Sequence, residues 1–380
     1  MGVTDNTTGR IRGYAARPAV VLLAFALGYL LVDLAAKLAG ISVDPLGVHV
    51  LGGYVRVSSV VKYLFNGLIL GLIIGLAGVG LSMTYSILSF ANFAHGDYLT
   101  VGAFSGWAAS YVVALFTLGL AEPFGEIFLL NVPSVVSIAT SPAAVVVGLI
   151  VAATASVALV LLLDRLVYKP MRGRGGIPLL IASIGVALAL RYTIVFVWST
   201  NTRGVTAVGV ESLPAYTLYV VDGSYSINLH EFTMIVAAVA LMIGVHVLLQ
   251  FTKLGKAMRA MADNKALAQV TGIPTERVIR ATWIIGGGLA GMAGFLIILK
   301  RGVLSYNFGW RLLLFIFSGV ILGGIGSVYG AIGGGIIIGI ASRMALIWIP
   351  SGFARVAAFS VMILVLLFRP AGLFGGVTTA

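Results

Sequence analysis

Cysteine is absent from all 380 residues, which removes disulfides, thiolate metal centres and cysteine nucleophiles from consideration. Charge is scarce too: 9% of residues are Asp, Glu, Lys or Arg, with 12 acidic against 24 basic. A soluble domain is roughly a quarter charged, so this chain cannot cover a water-facing surface. His49, His230 and His246 are too scattered to suggest a metal site. Strings of alternating strands are missing, which argues against an outer-membrane barrel. No phosphate-binding G-x-x-x-x-G-K-[ST] occurs either. "KLGKAM" (253–258) lacks the leading glycine and the hydroxyl after lysine, and the glycine-rich stretch 323–335 has no lysine behind it. Any ATP-driven work needs a separate motor subunit.

What is present is apolar: 60% of residues are hydrophobic, with 49 glycines among them, and the mean hydropathy is +1.09. The expected fold is an all-α polytopic membrane protein whose helices approach through small-residue faces. A span needs about 20 mostly apolar residues. Runs of that kind cover 19–36, 63–88, 98–118, 143–167, 178–198, 232–252, 276–299 and 354–369. The run 311–349 is too long for one crossing and is broken by "GGIGSVYG", so it reads as two short spans, making about ten transmembrane helices. The first run follows Arg10, Arg12 and Arg17 but is too long for a signal peptide and has no convincing cleavage site. It is expected to stay as a span.

Charge sets the expected orientation. Arg165, Lys169, Arg172 and Arg174 fall in one connection, and Lys253, Lys256, Arg259, Lys265, Arg277 and Arg280 in another. The connection 119–142 has Glu122 and Glu126 but no basic residue, and 199–230 has Arg203 alone. The positive-inside rule puts the two basic connections in the cytoplasm, and ten spans bring both termini there, in agreement with Arg369. Lys300, Arg301 and Arg311 disagree, because this topology leaves them outside. "GLAGVG" (75–80) and "GLAGMAG" (288–294) then lie on spans of opposite direction, as an inverted repeat of four helices plus four would place them.

Two polar stretches stand out. "NFAHGDYL" (92–99) separates two apolar runs and is expected at the cytoplasmic junction of the second and third spans. There Asn92 and Asp97 would cap helix ends and Gly96 would relieve the turn. His95 would bond unpaired backbone groups or touch a moving part, the first role being preferred. The segment 253–280 is expected to form two short helices. Asp263 or Asn264 caps one, Gly272 and Pro274 stop it, and Thr275 caps the next span. Such a pair suits docking into a groove on another protein or lying on lipid headgroups.

Arg191 lies about two-thirds along the fifth run, where a charge is expensive. It could face a polar transport path, pair with a substrate carboxylate, or snorkel to the interface, the last being preferred. Asp33 and Lys37 are spaced for a local ion pair. An intramembrane protease using Asp97 would need a second, facing carboxylate, and none is evident at matching depth. A passive channel is a further alternative.

"FNGLILGLIIGLAGVGLSMTYSILSFANFAHGDYLTVGAF", "DRLVYKPMRGRGGIPLLIASIGVALALRY", "TKLGKAMRAMADNKALAQVTGIPTERVI", "VILGGIGSVYGAIGGGIIIGI" and "LFRPAGLFG" resemble, in that order, the LivH-type permease subunit of branched-chain amino acid ABC importers. The resemblance runs from about residue 63 to 375. It implies a permease domain over 63–375 with an ATPase-coupling segment at 253–275. Residues 1–62 hold an N-terminal tail, the first helix and an outer loop, and 376–380 form a tail. The coupling candidates it implies are Gly255, Lys256, Arg259, Ala260, Asp263, Ala266 and Gly272. Implied partners are a related second permease of LivM type, two cytoplasmic ABC ATPases that use ATP and Mg, an extracytoplasmic solute-binding protein and membrane lipid. No cofactor on this chain and no nucleic acid are implied. The expected location is a prokaryotic cell membrane. Permeases resembling urea and short-amide importers share the "NFAHG" pattern.

Overall fold

The computed structural model describes residues 18–45, 50–117, 138, 141–205 and 215–375. The expectations for Arg10, Arg12, Arg17, His49, Glu122, Glu126 and the tail 376–380 lie outside them. Among these residues twelve helices of six or more residues follow in order: α1 Pro18–Ala39, α2 Val57–Leu88, α3 His95–Thr117, α4 Pro142–Leu163, α5 Gly176–Trp198, α6 Leu229–Phe251, α7 Lys253–Asp263, α8 Lys265–Val270, α9 Thr275–Arg301, α10 Phe308–Gly323, α11 Val328–Met344 and α12 Ala354–Phe368. Each apolar run falls largely on one of these helices, 143–167 continuing past α4 into a π-helical turn over Asp164–Tyr168, and 311–349 divides between α10 and α11 at Gly324–Ser327. Short ladders join β1 (Ser42–Val43) to β2 (Leu51–Gly52) and β3 (Arg203–Gly204) to β6 (Val303–Leu304). A hairpin joins β4 (Ala215–Val220) to β5 (Gly223–Asn228).

Glycine decides which helices form the core. Gly67, Gly71 and Gly75 recur every four residues on α2 and so share a face. They meet α11 so closely that a methyl group at Gly71 would come within 2.6 Å of the Ile336 backbone. On the other flank Gly80 of α2 meets Gly286 of α9, and Gly291 and Gly294 of α9 meet Ala152 of α4 and Leu99 of α3. Lipid tails compete equally for apolar surface, so helices are held here by close packing and interhelical hydrogen bonds. α2 and α9 are mostly buried, whereas α5, α6 and α12 turn most of their surface outward.

The two ends of the bundle differ. One carries 164–175 and the α7–α8 pair, where Gly176 touches the Ser89 backbone at the end of α2. We call it the basic-loop end. At the other, the hairpin end, the Asp222 carboxylate accepts hydrogen bonds from the Val57 and Ser58 amides and caps α2 from outside its own helix. Asp33 forms the expected ion pair with Lys37. It also accepts from Gly52 N (2.6 Å) and Trp348 Nε1 (2.7 Å), fastening α1 to the end of α11.

Candidate functional site

The stretch 92–99 is not at the surface. α2 ends at Ser89, which adopts a left-handed conformation, and the chain turns back along its own helix. Asn92 Oδ1 accepts from the Ala94 amide (3.1 Å), and the Phe93 amide donates to Ser183 Oγ of α5 (3.0 Å). His95 then opens α3 with Nε2 3.0 Å from the carbonyl of Ala77. A carbonyl can only accept, so Nε2 carries a proton. Ala77 stands 11 residues before the end of α2, about 16 Å along the axis at 1.5 Å per residue. The expected cytoplasmic junction is therefore a re-entrant turn, and Asn92, His95 and Asp97 are all buried at mid-depth.

Three roles change with that placement. Gly96 relieves no turn: it lies inside α3, where a methyl group would come within 2.7 Å of the Gly309 carbonyl of α10. Asp97, in the first turn of α3, does not cap it. Its carboxylate accepts from Arg191 Nε (3.3 Å) and Nη2 (3.0 Å). Arg191 accordingly does not snorkel. Its guanidinium also lies over the Trp310 ring, 4.8 Å from the centroid, and so ties α5 to the first turns of both α3 and α10. The signal for this pairing was two opposite charges, Arg191 within an apolar run and Asp97 at the edge of one, each expensive alone. Nothing in their 94-residue separation specified the pairing.

The chemistry open to this junction is structural. Asp97 is matched by a cation rather than by the second carboxylate that an aspartyl protease requires. Among the described residues no three His, Asp or Glu side chains group as metal ligands. Beneath the turn, Tyr98 and Tyr168 share a 2.9 Å hydrogen bond, and Tyr168 stacks on Trp283 with centroids 5.1 Å apart.

The segment after α6 forms the expected helix pair. Thr252 Oγ1 caps α7 by accepting from Gly255 N (3.0 Å), and Asn264 Oδ1 caps α8 by accepting from Leu267 N (2.9 Å). Gly272 ends the pair at φ +84°, where a side chain would be strained. Lys256, Asp263, Ala266 and Gly272 are exposed, and Arg259 and Ala260 are half-buried. Gly255 is a packing position rather than an outward contact. It is buried where α7 folds under α6, and a methyl group there would stand 2.2 Å from the Leu249 carbonyl. The outward apolar residues are Leu267 and Val270 of α8, 60% and 86% exposed, and neither is among the coupling candidates named from the sequence. Arg259 donates to Gln250 (2.7 Å), and Gln250 (3.1 Å) and His246 (2.6 Å) both bond the hydroxyl of Tyr329. This chain joins α7 through α6 to α11. Arg172, which also pairs with Asp164, reaches Glu276 at the start of α9 (2.9 Å), fastening the other basic connection to the same end.

A family model described as branched-chain amino acid transport system, permease component, matches residues 63–368. The high-affinity branched-chain amino acid transport system permease protein LivH of Escherichia coli (strain K12) is 30% identical over 319 residues, covering 83% of this chain and 95% of its own. The BraD permease protein of the corresponding system in Pseudomonas aeruginosa is 28% identical over the same shares. A probable branched-chain amino acid transport permease protein LivH of Methanocaldococcus jannaschii is 30% identical, covering 79% of this chain and 88% of its own.

Proposed function

This chain belongs to the family of branched-chain amino acid transport permease components, and from that membership we propose that it is the membrane-spanning subunit of an ATP-driven importer. It carries branched-chain or similarly apolar amino acids into the cytoplasm by alternating access. One observation carries the reading. The family match runs from residue 63 to 368 and so takes in the re-entrant junction, the glycine-packed core and the α7–α8 pair together.

The positive-inside rule supports a cytoplasmic basic-loop end, with both chain termini on that side. Two ABC ATPases dock there and bind the ATP and Mg, since the chain has no phosphate-binding loop of its own. α8 offers them Leu267 and Val270 as apolar contacts among Lys256, Lys265 and Ala266. Arg259, Gln250 and Tyr329 carry their movement from α7 to α11, which packs along α2 through the glycine ladder. A related second permease of LivM type covers part of the exposed apolar surface, and an extracytoplasmic binding protein delivers solute at the hairpin end.

Reconstitution of the chain with its ATPases and binding protein tests the reading. Leucine and valine are expected to stimulate ATP hydrolysis and to accumulate in vesicles. Stimulation by urea or short amides, and not by these amino acids, would overturn the substrate class. Val270→Asp should abolish stimulated hydrolysis while leaving the permease folded.

A further inference from the structure

The three basic residues that charge counting leaves outside separate once their partners are known. Lys300 pairs with Glu231. Arg301 and Arg311 have no carboxylate partner among the described residues, and Arg343 and Arg355 come within direct charge–charge range of Arg301 together with Arg311. The four come from the end of α9, the start of α10, the end of α11 and the start of α12. Arg343 sits beside Gly67 of α2, and its Nε is buried with no hydrogen-bond partner. Helix dipoles explain half of the cluster. Arg301 and Arg343 occupy last turns, which favour cations, whereas Arg311 and Arg355 stand at or just past the first turns of α10 and α12, which disfavour them. Arg311 is also deep: it follows Gly309, which touches Gly96 at mid-depth, yet its side chain is exposed. Lipid tails cannot solvate such a charge, so that face must meet something polar.

We propose that Arg301, Arg311, Arg343 and Arg355 form an anion site that receives the carboxylate of the transported amino acid and leads it from the hairpin end toward mid-membrane. The inference rests on the transport reading above. The acidic side chains Asp33, Asp97, Asp164 and Glu231 are each closed by another basic neighbour within the chain, so none of the four neutralises these arginines. A zwitterionic amino acid brings one carboxylate, which guanidinium groups can hold by charge-assisted, bidentate hydrogen bonds. Like charges gathered without a partner lower stability, a cost that binding of an anion offsets.

The test uses the assembled importer in proteoliposomes with L-leucine as probe. Arg311→Gln and Arg355→Gln should each lower leucine uptake about tenfold while leaving unchanged the binding-protein concentration that half-saturates ATP hydrolysis. Arg311→Lys keeps the charge but loses the bidentate fork, so its uptake should fall between that of the unaltered importer and that of Arg311→Gln, and all variants should unfold no earlier than the unaltered chain. Unchanged uptake in the Gln variants would overturn the site. A raised half-saturating concentration with unchanged maximal uptake would make the cluster a docking surface for the binding protein and overturn it too. A loss seen only in vesicles containing anionic phospholipid would assign the arginines to lipid phosphate, with the same result. Absence of leucine uptake by the unaltered importer would instead overturn the transport reading, and the inference with it.

Discussion

The first turns of α3 and α10 each begin beside an Asn-Phe pair, Asn92-Phe93 and Asn307-Phe308, and each supplies the glycine, Gly96 or Gly309, at which the two helices touch. Both follow a chain reversal after a long, glycine-rich core helix, α2 or α9. Their charges are handled differently. The Asp97 carboxylate in the α3 turn is closed by Arg191, whose guanidinium also covers Trp310. Arg311 in the matching region of α10 has no carboxylate partner among the described residues and faces outward. A closed polar contact holds helices together, whereas an open charge at that depth costs stability and persists only if something outside the chain uses it.

Breaking the closed side should have the largest effect. Asp97→Ala leaves a mostly buried guanidinium unpaired, at a cost of about 3–5 kcal/mol, read as a lowered unfolding midpoint in detergent. Replacing both partners by leucine should recover most of that loss, because an apolar pair leaves no charge unmatched. If the double variant is as unstable as the single one, the pair is not what joins α3 to α5.

The contact between the two turns comes next. A methyl group at Gly309 would stand 1.9 Å from the Gly96 carbonyl, so Gly309→Ala forces the backbones apart and should cost about 1–3 kcal/mol. The same substitution at Gly185 of α5, where a methyl group meets nothing within 4 Å, should be neutral. That control separates steric contact from a general intolerance of glycine replacement.

Tyr329→Phe opens a smaller closed contact by stripping the shared partner from His246 and Gln250. A loss of about 0.5–1.5 kcal/mol is expected, with stimulated ATP hydrolysis retained and less uptake per ATP. Equal coupling in the variant would remove Tyr329 from the path between α7 and α11. The mildest case is the exposed cap. Backbone hydrogen bonds from Ser58 and Val57 hold the Asp222 carboxyl below its ordinary range. Its contribution is thus present above the usual carboxylate pKa of about 4 and fades as pH falls through the lowered value. Protection of the Val57 and Ser58 amides from hydrogen exchange, taken relative to the intrinsic rate at each pH, should fall on acidification and lose that dependence in Asp222→Ala.

Spans were legible because hydropathy is a local property, and a break such as 323–330 shows as glycines between two apolar runs. Caps at Asn264 and Gly272 were legible for the same reason, since the side chain and the amide it serves lie within a turn. The re-entrant course of 90–94 was not. A hydropathy window sends polar residues to the surface, and the groups that satisfy the Phe93 amide, His95 and Asp97 inside the protein come from Ser183, Ala77 and Arg191. Gly255 stands among the coupling candidates that the resemblance implies, but the sharp fold of α7 under α6 uses it first. The hairpin had a readable sign, Asp222-Gly223 after a run rich in Tyr, Thr and Val, though nothing local pointed that aspartate at α2. Arg301 and Arg311 were flagged by a rule they broke, and only the ends of α11 and α12 showed what gathers around them.

The contrast between a closed and an open charge is tested most directly by comparing unfolding midpoints of Asp97→Ala and Arg311→Gln in the same detergent. The first should unfold well below the unaltered chain, and the second at the same temperature or above it, since it relieves repulsion among arginines. Early unfolding of Arg311→Gln, to the same extent as Asp97→Ala, would show that Arg311 is a structural group and contradict the account.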